Sequence, residues 1–148
     1  MARRQFLWID SRGADPYFAA AGNIKYSAGE KGTLAIWQHT PVNDAYATPD
    51  KFWRLLIDSD NCMEQYAGRS FRVRSGGAAK EIYPGHHIWT QYGGHGYVWE
   101  LMVYTWDFSA GAGNGVLRVY WDGVAAGTPV TDATAPVGTS TGLYLGPV

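Results

Sequence analysis

YVWELMVYTWDFSAGAGNGVLRVYWDG, Tyr97 to Gly123, decides how this chain is read. It holds two apolar, β-rich runs, Tyr97 to Trp106 and Val116 to Trp121, joined by a loop of small residues, Ser109 to Gly115. Glycine is costly in a helix, and nothing in that loop repeats at helical spacing. The stretch therefore reads as a β-hairpin with a long connection. Side chains alternate across a strand, so Met102, Tyr104 and Trp106 share one face of the first arm, and Leu101, Val103 and Thr105 the other. On the second arm Leu117, Val119 and Trp121 oppose Arg118, Tyr120 and Asp122. Asp122-Gly123 closes a tight turn, and Val124-Ala125-Ala126 leaves in the return direction.

The flanking sequence continues in the same style. Gln5 to Ile9 reads as an opening strand. Gly32 to His39 (GTLAIWQH) sets Leu34, Ile36 and Gln38 against Thr33, Ala35, Trp37 and His39. Both faces are mainly apolar, which is the pattern of a central strand in a sandwich. Lys51 to Asp58 (KFWRLLID) fits either a helix capped by Asp50 or a strand; its strand neighbours favour the strand. Asn61 to Gly68 reads as a turn with a short extended piece. Ser70 to Ser75 (SFRVRS) alternates cleanly, with Phe71 and Val73 inward and Arg72 and Arg74 outward. Gly76-Gly77 turns the chain into a further short strand, Lys80 to Tyr83. Neither an internal repeat nor a linker breaks the sequence, so residues 1–148 are expected to form one domain.

Composition agrees with an all-β chain. Seven Trp, 10 Tyr and 5 Phe favour strands, and 19 Gly favour turns. A net charge of −1 gives no long-range attraction to nucleic acid or anionic membrane. The single cysteine, Cys62, has no partner for an intramolecular disulfide and is expected to be a small buried side chain. MARRQFLWID has too short an apolar run for a signal peptide, and no stretch is long enough to span a bilayer. Synthesis in a host cytoplasm is the expectation.

The central hairpin also carries a resemblance. WELMVYTWD and LRVYWDGVAAG resemble the paired strands W-H-H-V-A-V-T-W-D and L-R-L-Y-V-D-G-x-x-x-G of laminin-G-like, concanavalin A-like domains. GTLAIWQH is similar to the early F-T-I-S-A-W-V strand there, and Gly142 to Gly146 (GLYLG) to the late L-Y-I-G strand. The resemblance implies an antiparallel two-sheet β-sandwich of jelly-roll type. It does not imply one function, because lectins, glycan hydrolases, adhesion modules and virion proteins share that fold. It also implies a Ca²⁺ ion near the loop rim; Asp58, Asp60 and Asn61 are suitable oxygen ligands, but the spacing does not assign a site, so no metal ligand is named.

The residues argue against catalysis. Hydrolases on such sandwiches often carry E-x-D-x-x-E on one strand, which sets two carboxylates ~5 Å apart for retaining chemistry. Glu30, Glu64, Glu81 and Glu100 each lack an Asp two residues on. Gly138 to Gly142 matches G-x-S-x-G, but no helix, Asp or His follows it, so it reads as a turn. His86 and His87 are adjacent and point to opposite faces of a strand, which prevents chelation from one side.

Binding surfaces are the remaining candidates. Trp89, Tyr92, Tyr97 and Trp99 flank Gly93 to Gly96, with His87 and His95 beside them. Exposed aromatic faces stack on sugar rings, so these six residues are a candidate glycan site; the plainer alternative is that they fill the core or an interface. Arg3, Arg4, Phe6 and Trp8 are the candidate contact with another subunit. Arg69, Arg72 and Arg74 read as a solvated basic strip. The expected function is that of a non-catalytic structural subunit displayed on an assembly, in the manner of a capsid decoration protein on a virion surface. Its expected partners are copies of itself or a capsid protein. The alternative is a soluble carbohydrate-binding module that recognises a cell-surface glycan.

Overall fold

A computed structural model of the chain describes residues 18–21, 31–41, 53–66, 70–84, 97–138 and 142–145. These residues form ten strands: β1 (Phe18–Ala21), β2 (Lys31–Pro41), β3 (Trp53–Leu56), β4 (Cys62–Tyr66), β5 (Ser70–Ser75), β6 (Ala78–Ile82), β7 (Tyr97–Asp107), β8 (Gly115–Trp121), β9 (Val124–Ala133) and β10 (Gly142–Leu145). None of the described residues is helical. The ambiguous KFWRLLID segment is a strand over Trp53–Leu56, as its neighbours suggest.

The strands make two antiparallel sheets. Six are ordered β1-β10-β3-β4-β5-β6, and four are ordered β2-β7-β8-β9. The sheets pack as a β-sandwich because each offers one apolar face. Trp53, Leu55, Met63, Phe71, Val73 and Ile82 come from the first sheet; Met102, Tyr104, Leu117, Val119 and Trp121 come from the second. At the centre the Tyr104 ring stands edge-on to Trp53 and Phe71, with centroids 5.0 and 5.5 Å apart. Such tilted aromatic pairs add to the free energy of burial itself. The inward alternation of the central hairpin and of SFRVRS is as the sequence indicates.

The hairpin β8–β9 turns on Asp122 and Gly123, whose φ angles of 47° and 84° are those of a primed two-residue turn. Asp122 tolerates the left-handed region and also ties the turn down. Its N–H donates to the Leu101 carbonyl at 2.9 Å, and its Oδ1 accepts from the Leu101 N–H at 2.8 Å. Farther along, β9 slips relative to β8 between Leu117 and Val119. The extra residues bend β9 toward the edge of the other sheet, as a bulge does. There Asp132 pairs with Lys80 of β6, and the Ala135 carbonyl accepts from Ser75 Oγ at 2.9 Å. This side of the sandwich is thereby closed by polar contacts between the sheets.

Among the described residues GTLAIWQH differs from the central-strand pattern: β2 ends the described order of its sheet, and its Leu34 and Ile36 face packs on the core. Thr33, Ala35 and Trp37 are exposed, and Trp37 is 55% exposed. The small residues Thr33 and Ala35 on the same face as Trp37 are compatible with an outer surface. The two-sided apolar pattern alone does not distinguish that from burial.

Candidate binding faces

The two outer faces of the sandwich differ. On the six-stranded sheet, Met63 and Gln65 turn inward, so Cys62, Glu64 and Tyr66 turn out. Cys62 and Glu64 are nonetheless 0% exposed. The register explains part of this. Arg54, Glu64 and Arg72 are direct cross-strand partners on β3, β4 and β5, so two guanidinium groups flank one carboxylate. Arg72 Nε donates to Glu64 Oε1 at 2.8 Å, with a second contact through Nη2, and Arg54 Nε lies 3.2 Å from Glu64 Oε2. Arg72 is further held over the Tyr66 ring, 3.3 Å from its centroid, and Arg54 Nη2 reaches Cys62 Sγ at 3.5 Å. Burial alone would lower the Arg72 pKa, but the hydrogen bond and charge of Glu64 outweigh it and hold the pKa above its ordinary value.

For Arg72 this row corrects the reading of a solvated strip. The Arg54 and Arg72 side chains are only 12% and 16% exposed. Arg74 is half-buried, and Arg69 lies outside the described residues. Alternation finds the outward direction correctly; it does not reveal that a carboxylate on the next strand will draw two arginines flat against the sheet.

Among the described residues, nothing covers the outer face of the four-stranded sheet. Trp37 stands in register with Leu101; Ala35 is in line with Val103, Tyr120 and Ala125; Thr33 is in line with Thr105 and Arg118. Ala35, Ala125 and Arg118 are exposed, and Leu101, Val103, Thr105 and Tyr120 are half-buried. One end of the face is therefore apolar and aromatic, and the other carries hydroxyls and a guanidinium. Lys31 and Asp107 close the polar end as an ion pair, 2.9 Å between Nζ and Oδ2. Arg118 has no ion-pair partner among the described residues.

The rim near Asp58 is a built turn. Asp58 Oδ1 accepts from the backbone N–H groups of Asp60 and Asn61, both at 2.8 Å, and from Asn61 Nδ2 at 3.1 Å. Those donors, the Asp60 N–H first and the Asn61 side chain second, hold the Asp58 carboxyl below its ordinary pKa. Asn61 Oδ1 in turn accepts from the N–H groups of Gly76 and Val137, each at 3.1 Å. The side-chain oxygens of Asp58 and Asn61 thus serve a hydrogen-bonded corner that joins three segments. No cluster of metal-ligating side chains occurs among the described residues.

Of the glycan candidates, Tyr97 and Trp99 lie on β7, where their backbones pair with Pro41 and His39. Trp89, Tyr92, His87 and His95 lie outside the described residues, as do Arg3, Arg4, Phe6 and Trp8. Glu100 is 1% exposed and shares the inward side of β7 with Met102 and Tyr104. Glu64 is on the other sheet and turned away from that interior. No described helix is long and apolar enough to cross a membrane. Comparison with protein-family models, with curated proteins and with solved structures found no match.

Proposed function

We propose that the chain is a non-catalytic structural subunit displayed on the surface of an assembly, with a lectin-like jelly-roll of the kind that decorates a virion. The observation that supports this is the contrast between the two outer faces. One sheet turns a closed back of ion-paired and wholly buried side chains outward; the other presents exposed Trp37 and Ala35 with half-buried aliphatic neighbours. A contiguous apolar patch with a polar rim is the mark of a recognition surface. Glu64 is committed to two arginines, and Glu100 lies across the sandwich on the opposite sheet, an arrangement suited to holding structure.

In this proposal Arg3, Arg4, Phe6 and Trp8 make the contact with neighbouring subunits, as aromatic and arginine side chains commonly do. Light scattering is expected to show a stable oligomer that Arg3→Glu with Arg4→Glu dissociates and Trp37→Ser leaves intact. A monomeric wild-type protein that also fails to join any larger assembly sinks the proposal. Hydrolysis of a β-glucan, lost in Glu100→Gln, would overturn its non-catalytic part. The second function, a soluble carbohydrate-binding module, is favoured by the exposed indole of Trp37 in particular.

A further inference from the structure

We propose that the outer face of the four-stranded sheet binds an anionic oligosaccharide, with Trp37 as the stacking platform and Arg118 as the partner of its acid group. Nothing in this requires the chain to assemble; it rests only on the face being open.

Trp37 offers a flat apolar surface more than half exposed, and Tyr120 adds a second aromatic ring from the middle of the same face. The C–H groups of a sugar ring suit such surfaces, and hydroxyl or charged neighbours then fix its orientation. The register sets the scale. Tyr120 is two strands and one row from Trp37, about 12 Å away; Arg118 is one row farther, about 16 Å from Trp37. That spacing suits a chain of a few rings laid diagonally across the strands. Thr33 and Thr105 lie in register with Arg118 and add hydroxyls at that end.

Charge selects the acid. Lys31 is neutralised by Asp107, and the Asp122 carboxylate, which accepts the Leu101 N–H, lies at the Trp37 end of the face, two rows from Arg118. Among the described residues the cation on this face without an ion-pair partner is the exposed guanidinium of Arg118, whose fork matches a carboxylate or sulfate. Area argues against a second copy of this chain as the occupant. Rows Lys31 to Trp37 over four strands cover about 20 by 15 Å, or about 300 Å², whereas a stable dimer buries roughly 800 Å² per partner.

The test is isothermal titration of the full chain with a galacturonic acid hexamer, its methyl ester and a heparin-derived hexasaccharide; the two acidic probes separate carboxylate from sulfate recognition. Binding to at least one acidic probe is expected, about tenfold tighter than to the neutral ester, which is the scale of one charge-assisted contact. Trp37→Ala should remove binding of acid and ester alike. Arg118→Gln should keep the ester affinity and erase the preference for acid. Both side chains are exposed, so melting temperatures should hold; if Trp37→Ala melts early, the loss of acid preference in Arg118→Gln decides alone. Heat from neither acidic probe overturns the proposal. So does an acid preference that survives Arg118→Gln, or a self-association abolished by Trp37→Ala. A monomer that binds acid and joins no larger assembly keeps this site and sinks the assembly proposal; an oligomer that ignores both acidic probes does the reverse.

Discussion

Trp106 lies across Gly32: the two are direct partners in the β2–β7 register, and a Cβ on Gly32 would come within 2.1 Å of Trp106 Cζ2. The missing side chain is what lets the indole fold inward over β2. There its ring approaches Phe71 at 6.4 Å between centroids and joins the core margin. Large aromatic residues commonly cover a glycine on a neighbouring strand in this way.

Gly32→Ala is therefore expected to destabilise the sandwich by about 1–3 kcal/mol, the range for overpacking a well-filled site. At this chain length each kcal/mol corresponds to about 2–4 °C in melting temperature. Gly32→Ala combined with Trp106→Leu should recover part of the loss, because the two sites share one contact. Calorimetry of the three variants checks this; an unchanged transition in Gly32→Ala would show that Trp106 does not rest there.

The Arg54–Glu64–Arg72 row gives a larger effect. Glu64→Gln leaves two largely buried guanidinium groups without their carboxylate, and breaking a buried pair from one side costs about 3–5 kcal/mol. Replacing all three residues by apolar ones of similar volume should be far milder, since no charge is then stranded. Urea unfolding measures both. A Glu64→Gln protein as stable as the parent would mean that the row is solvated after all.

How much of this was legible in the sequence depends on how local each determinant is. Alternation in Tyr97–Trp106, Val116–Trp121 and Ser70–Ser75 identifies strands and inward faces, because a two-residue period needs no knowledge of partners. Asp122-Gly123 names its own turn. The place of β2 at the end of the described order has a different origin: centre or edge is a property of strand order, which period 2 does not encode. The same holds for Glu64, whose burial follows from three strands meeting in register, and for the open face, where Trp37, Tyr120 and Arg118 come from two separate strands. The sequence-level aromatic candidates cluster along the chain between His86 and Trp99, since proximity in sequence is the only proximity that a sequence displays.

Within the core, Tyr104 Oη donates to Gln65 Oε1 at 2.8 Å, with both residues 0% exposed. Tyr104→Phe preserves the ring contacts with Trp53 and Phe71 but removes that donor. A buried acceptor deprived of its donor costs about 1–3 kcal/mol. The expected result is a lower urea midpoint with an unchanged slope, since the surface exposed on unfolding stays the same. Gln65→Leu in the Tyr104→Phe background should restore part of the stability by removing the stranded amide.

The last prediction concerns acid. Asp107 Oδ1 accepts from Ser109 Oγ at 2.5 Å and from the Ser109 N–H at 2.9 Å, while Lys31 Nζ lies 2.9 Å from Oδ2. The Ser109 hydroxyl first, then Lys31 and the Ser109 N–H, hold the Asp107 carboxyl at about 2 against an ordinary 3.8. A carboxyl depressed in the folded state binds its proton more readily when unfolded. Its stabilising contribution is therefore complete above pH 3.8 and fades as pH falls from 3.8 through 2. Asp107→Asn carries no titrating group there and mimics the protonated acid. The gap in urea midpoint between parent and Asp107→Asn should be widest near neutrality and close toward pH 2. Salt should shrink the neutral-pH gap, because the Lys31 share is exposed and screened. Asp58 and Asp132 are depressed in the same direction, but both proteins retain them, so they cancel in the difference. A gap that stays constant down to pH 2 would show that Asp107 does not couple its proton to folding.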